Sequence, residues 1–192
     1  AIESYERMYA YAAPNENRPH GRPIRVSPLH TVLAQKGAIH TVNTGFEKPS
    51  WYTTDEIRGE TLSWTHTEAH EAIKEECKAV QESCGVTDIS GTAKFRITGK
   101  DAFDFLDKLS CNKLPTKDGR ISLTLFHAPK GGIRAEQTIS RISKEEFLLM
   151  GAIGSEVKDY QWLEWHVGEL DVTIENLTEE WGGLLLTGPD AR

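Results

Sequence analysis

The chain has 192 residues, 38% of them hydrophobic and 27% charged, enough for one domain, or one domain plus a piece of another, around a real core and unlike a disordered or fibrous sequence. Its 22 Lys and Arg stand against 29 Asp and Glu for a formal charge of -7, with no basic cluster, which argues against nucleic acid and against a membrane surface as partners. The longest apolar runs, Phe147 to Met150 and Leu184 to Leu186, fall far short of the roughly 20 residues that cross a bilayer.

The opening residues Ala1 to Tyr9 are polar and charged, without the apolar core of a secretory signal. Turn formers then dominate, with Pro14, Asn15, Asn17, Pro19, Gly21, Pro23 and Pro28, so this stretch reads as a connector or strap. Gly45 to Asp55 carries Pro49 beside Trp51 and Tyr52 and reads as an ordered loop whose rings need something to pack against. From Thr67 to Cys84, Ala69, Ile73, Cys77 and Val80 recur at helical steps, and Gly85 stands where a helix C-terminal glycine belongs.

Thr92 to Thr98 alternates Ala93, Phe95 and Ile97 with polar neighbours, the pattern of a half-buried strand. Asp101 can cap a helix running to Leu109, striped by Phe103, Leu106 and Leu109. Ile121 to His127 and Ile133 to Ile142 flank Pro129-Lys130-Gly131-Gly132 and read as an antiparallel hairpin. Phe147 to Met150 is a short strand, Ser155 to Val167 a helix carrying Val157, Tyr160 and Leu163, and Asp171 to Ile174 and Trp181 to Thr187 are further strands. Helices set among hairpin-linked strands predict an α+β fold, a mainly antiparallel sheet with flanking helices.

Local chemistry is sparse. Cys77, Cys84 and Cys111 form no CxxC pair and read as free thiols of a reducing compartment, and the sequon at Asn176-Leu177-Thr178 reads as chance. His66 and His70, with Cys77 two turns on, could face a metal, but HTEAH lacks the glutamate directly after the first histidine that a zinc-protease helix requires; no metal site is expected. Gly151-Ala152-Ile153-Gly154 lacks the third glycine of a dinucleotide fingerprint and reads as a turn. No GxSxG elbow exists, and His127 reads as a structural imidazole. In the hairpin, Ile133, Ala135, Gln137 and Ile139 share one face and Arg134, Glu136 and Thr138 the other, so on pattern alone Glu136 is an exposed strand carboxylate.

Taken together, Val86 to Ser90, Lys94 to Thr98, Gly99-Lys100-Asp101-Ala102, Phe105-Leu106 and the run from Ser122 to Ile133 resemble the opening of the glycine-cleavage T-protein superfamily. Upstream, Gly21-Arg22-Pro23, Ser27-Pro28-Leu29-His30, Lys36-Gly37-Ala38 and Gly45 to Tyr52 are similar to the segment that joins flavin and folate domains in the dimethylglycine and sarcosine dehydrogenases. Gly188-Pro189-Asp190-Ala191-Arg192 resembles the family's GPxAR turn, which is internal to its domain.

The resemblance implies that residues 1–52 connect to a flavin domain and residues 53–192 form the N-terminal portion of an aminomethyltransferase-like folate-binding domain. It implies a flavoenzyme, bacterial and cytoplasmic or in the mitochondrial matrix, that oxidises an N-methyl group to an iminium and passes the one-carbon unit to tetrahydrofolate, giving 5,10-methylenetetrahydrofolate. The FAD would be held elsewhere in the parent, and this chain alone would be inactive. Glu136 matches the family's essential carboxylate, one methylene longer than the usual aspartate. Leu123 and Thr138 match positions that line the folate cavity, although burial in the sheet would explain a leucine equally well. Arg134 and Ala135 stand where T-proteins often carry aliphatic and acidic residues, which favours the flavoenzyme over transfer from a lipoyl carrier. The family's second pterin carboxylate, in a YTGExGxE-type segment, would follow Arg192. Two other readings stay open: a noncatalytic T-protein-like scaffold of a larger oxidoreductase, and a flavin-free folate-dependent demethylase.

Overall fold

The computed structural model describes residues 2–14, 16–53 and 61–192. The chain divides into two compact units, residues 1–91 with 182–192 and residues 92–181.

The first unit holds the short helices α1 (Ile2–Glu6) and α2 (His30–Gln35), strands β1 (Ala38–Asn43) and β2 (Phe46–Tyr52), helix α3 (Ala69–Glu82) and strand β3 (Gly85–Asp88). Most of the stretch expected as a loop from Gly45 is strand β2, paired antiparallel with β1; Thr54 and Asp55 lie outside the described residues. Two features hid the hairpin. Its turn uses Thr44 at a φ of 49° before Gly45 at 86°, and a threonine rarely adopts positive φ. Pro49, which argues against a strand, sits where the register slips between Ile39 and His40, at an irregularity that tolerates a residue without an N–H. Trp51, 2% exposed, gains the packing its ring requires, alongside buried Phe46 and Ala38.

Helix α3 forms where expected, but of its apolar positions only Ala69 is buried, while Ile73 and Cys77 are exposed. Gly85 does not close it in a left-handed conformation. Instead it opens β3, against Val80, whose Cγ2 would lie 2.6 Å from any added Cβ. The last strand, shorter than expected, is β9 (Leu184–Thr187), antiparallel to β3.

The second unit is a five-stranded, wholly antiparallel sheet. In chain order it comprises β4 (Thr92–Thr98), helix α4 (Ala102–Leu109), β5 (Ile121–His127), β6 (Ile133–Ser143), β7 (Glu146–Ala152), helix α5 (Glu156–Val167) and β8 (Thr173–Asn176). The strands lie in the order β5-β6-β7-β4-β8, so the expected hairpin β5–β6 forms one side of the sheet and β4 sits between β7 and β8. In the β5–β6 turn Gly131 has a φ of 84°, and its N–H donates to the Ala128 carbonyl at 2.8 Å. Period-two alternation puts Ala93, Phe95 and Ile97 of β4, Phe147 and Leu149 of β7, Ile139 of β6 and Phe126 of β5 into one core. Helix α4 covers it with Phe105 and Leu106, and α5 with Leu163.

Two local expectations are corrected. Asp101 precedes α4 but makes no side-chain cap; its Oδ2 accepts the Asp171 N–H at 2.9 Å, tying α4 to the approach to β8. On α5 Val157 is 69% exposed, and the buried positions are Glu156, Asp159 and Leu163, so carboxylates take two of the three and of the expected apolar residues only Leu163 is fully buried. Among the described residues no helix is long and apolar enough to cross a membrane.

Candidate functional site

The site grows out of the way β6 is paired. On its β5 side the ladder runs from Ser140 to Ala135, then slips between Phe126 and His127, leaving Arg134 as the extra residue of a bulge between the pairs Phe126↔Ala135 and His127↔Ile133. The slip breaks the alternation, and Ile133, expected on the core face, is 69% exposed. On the β7 side pairing stops earlier, at Thr138↔Met150, while β7 itself stays paired to β4 as far as Thr92↔Ala152. Beyond Met150 the two strands part. A cleft of about 520 Å³ opens there, lined among others by Leu123, Arg134, Glu136, Thr138, Met150 and Asp159.

Leu123, Thr138 and Met150 are direct cross-strand partners, Leu123↔Thr138 and Thr138↔Met150, so they form one row on one face of the sheet. Leu123 is 57% exposed, which removes burial in the sheet core as the reason for a leucine there. Glu136, two residues along β6 from Thr138, projects from the same face. Among the described residues its carboxylate makes no hydrogen bond or ion pair. Apolar contact area and a carboxylate committed to nothing else therefore share one concavity, a lining of the kind small-molecule sites use.

On the opposite face stands a polar group that sequence reasoning did not assemble. Gln137 and Asp159 are 1% and 2% exposed, and the Gln137 Nε2 donates to Asp159 Oδ2 at 3.0 Å. Burial pushes the Asp159 carboxyl up from its ordinary value, against the downward pull of the Lys158 and Arg134 charges. Those two cations are tied to each other's backbone: the Arg134 Nη2 donates to the Lys158 carbonyl at 3.3 Å, and the Lys158 Nζ to the Arg134 carbonyl at 2.9 Å. The Arg134 guanidinium also lies 5.2 Å from the centre of the Trp162 ring. A polar glutamine between Ala135 and Ile139 on an otherwise apolar strand face was the one signal available.

Of the remaining sequence candidates, Gly151 and Ala152 line the cleft. His127 is exposed and makes no side-chain hydrogen bond among the described residues, so it is not the satisfied imidazole expected. His66 and His70 stack with ring centres 3.8 Å apart, and among the described residues no three His, Cys, Asp or Glu side chains could hold a metal ion. Ile153–Ser155 forms a single 3-10 turn into α5, whose first turn already carries Glu156 and Asp159 against the helix dipole.

The GCVT N-terminal domain model matches residues 29–192. The chain is 38% identical over its whole length to mitochondrial dimethylglycine dehydrogenase of Homo sapiens, of which it spans 22%. It is 28% identical, over 99% of its length, to the mitochondrial pyruvate dehydrogenase phosphatase regulatory subunit of Mus musculus, again spanning 22% of that protein. In fold it resembles the glycine cleavage system aminomethyltransferase T of Bartonella henselae, with a TM-score of 0.73 and 20% identity over 88% of this chain and 42% of the other. A match of that extent to the family model, on a sheet of the same fold, makes the chain a member of the GCVT N-terminal domain family.

Proposed function

We propose that this chain is the folate-binding part of a flavin-dependent N-methyl amine dehydrogenase of the dimethylglycine or sarcosine type, and that it serves transfer of a one-carbon unit to tetrahydrofolate. One observation carries the reading: the uncommitted Glu136 carboxylate enters a cleft of about 520 Å³ beside the row Leu123, Thr138 and Met150. That volume falls in the range of small-molecule sites, and the lining suits the ligand, with apolar side chains for a ring and a carboxylate for a nitrogen.

Tetrahydrofolate supplies the nitrogens that accept the one-carbon unit. Leu123 and Met150 offer a surface on which its rings can pack. Glu136 orients the arylamine nitrogen and takes up its proton; an arylamine is weakly basic, so a fixed carboxylate is a sufficient acceptor. Thr138, between Leu123 and Met150, sets the width of that surface. FAD belongs to the parent protein rather than to this chain, residues 1–52 are the connector to the flavin domain, and the chain by itself is inactive. The mitochondrial relative supports the matrix, and bacterial aminomethyltransferases among the relatives support a cytoplasmic setting equally.

The test replaces Glu136 with Gln in the protein encoded by the complete reading frame. Flavin reduction by the amine should continue, while methylenetetrahydrofolate formation falls by about 10²–10⁴-fold. Loss of neither activity, or of flavin reduction alone, overturns the assignment.

A second reading, a noncatalytic scaffold with a solvated Glu136, is favoured by the likeness to a phosphatase regulatory subunit over 99% of this chain. Titration with tetrahydrofolate separates the two, since a scaffold would not bind it. The flavin-free demethylase is disfavoured by the lead-in from Gly21 to Tyr52.

A further inference from the structure

Two buried acceptors lack a hydrogen-bond partner among the described residues, one on Asp159 in the cleft lining and one on Gln137 behind it. The Gln137 Nε2 donates to Asp159 Oδ2, which fixes the carboxamide and leaves its Oε1 as an acceptor without a hydrogen-bond partner. Asp159 Oδ1 likewise has no hydrogen-bond partner among the described residues; the Lys158 ammonium pairs with it at 3.7 Å, beyond hydrogen-bond reach. Asp159 is 2% exposed and yet is one of the residues lining the cleft, so a ligand seated there lies beside it. Gly151 makes the arrangement possible, because a Cβ there would stand 2.7 Å from Gln137 Nε2.

Buried polar atoms are satisfied in the great majority of folded proteins, and an orphaned acceptor is destabilising. Two such oxygens on adjoining side chains call for a donor delivered from the cleft. Among the described residues none stands within hydrogen-bond reach of either oxygen, the Lys158 ammonium stopping at 3.7 Å from Asp159 Oδ1. A ligand rich in N–H groups matches this need, and a reduced pteridine with its arylamine bridge carries several.

We propose that Asp159, supported by Gln137, is a second polar anchor of this cleft that receives an N–H donor of the bound folate, complementing Glu136. The inference rests on the folate reading above and assigns Asp159 to positioning, not to chemistry.

The decisive experiment is calorimetric titration of the full-length protein with tetrahydrofolate, wild type against Asp159→Asn. An asparagine held through its oxygen by the Gln137 Nε2 turns an NH2 toward the cleft, so a donor faces a donor. The dissociation constant should rise by about tenfold or more, while the Tm of the ligand-free variant stays level or increases. A purely structural aspartate would give the reverse, a lower ligand-free Tm with unchanged affinity. Should the variant fail to fold, a crystal structure of the wild-type complex decides: a folate nitrogen within about 3.2 Å of Asp159 Oδ1 supports the proposal, and an ordered water there in its place overturns it. Failure of the wild type to bind tetrahydrofolate overturns both readings; binding that Asp159→Asn leaves intact overturns this one alone.

Discussion

At Gly151 the missing side chain is a requirement rather than a convenience. An added Cβ would stand 2.7 Å from Gln137 Nε2 and 2.8 Å from its Oε1, and Gln137, 1% exposed, has no solvent into which to retreat. Gly151→Ala should therefore destabilise the protein by about 1–3 kcal/mol in chemical denaturation, the usual cost of overpacking. In a Gln137→Ala background the same substitution should cost distinctly less, because the clash partner is gone; equal costs in both backgrounds would disconnect the two residues. Glu136 illustrates the opposite case. Strand alternation was enough to put it on the polar face, yet the cleft around it depends on where the β6 and β7 ladder ends, which residue order along one strand does not reveal. Asp159 was hidden for a related reason, since a carboxylate facing inward from the first turn of a helix looks in sequence like an ordinary solvated one.

The elements themselves were largely legible wherever periodicity was strong. Strand β4 begins and ends at the expected residues, Thr92 and Thr98, because Ala93, Phe95 and Ile97 alternate without interruption. Strand β5 does likewise over Ile121–His127. Elements that depend on backbone exceptions were not legible: the β1–β2 hairpin turns on Thr44 at positive φ and carries Pro49 at its bulge, and both residues argue locally against what the chain does. In α4 the expected stripe faces the core but is incomplete, because Phe105 joins it. Phe105, 1% exposed, is buried together with Leu106, while Phe103 and Leu109 pack only partly. Phe105→Ala should accordingly cost about 3–5 kcal/mol, measured by denaturant unfolding, as truncation of a fully enclosed aromatic does. A cost below about 1 kcal/mol would mean that α4 does not cover the sheet core.

For the molecule as a whole, the two units rest on different interactions. The unit spanning 92–181 has the apolar core, whereas the unit formed by 1–91 and 182–192 includes a buried ion pair. The Arg22 Nε donates to Glu47 Oε1 at 2.7 Å, and its Nη2 also reaches the His40 carbonyl at 3.0 Å. The Glu47 side chain is 3% exposed, and the Arg22 hydrogen bond holds its carboxyl below the usual range. A depressed carboxyl stabilises the fold above the unfolded value of about 4.3, and that contribution disappears as the pH falls through the lower folded value. Glu47→Gln should thus lower stability at neutral pH by about 1–3 kcal/mol, having left a partly buried guanidinium without its counter-charge. The wild-type and variant curves should converge in acid; parallel curves across the whole range would show that Glu47 is not the titrating group.

Past Thr138, β6 is a beam clamped along one margin. β5 grips it from Ile133 to Gln137, while toward β7 the Lys158 ammonium props it at the Arg134 carbonyl. Small excursions of that overhang would carry Glu136 along without shearing the sheet interior, which under the proposed function lets the carboxylate follow a nitrogen whose geometry changes as a bond closes beside it.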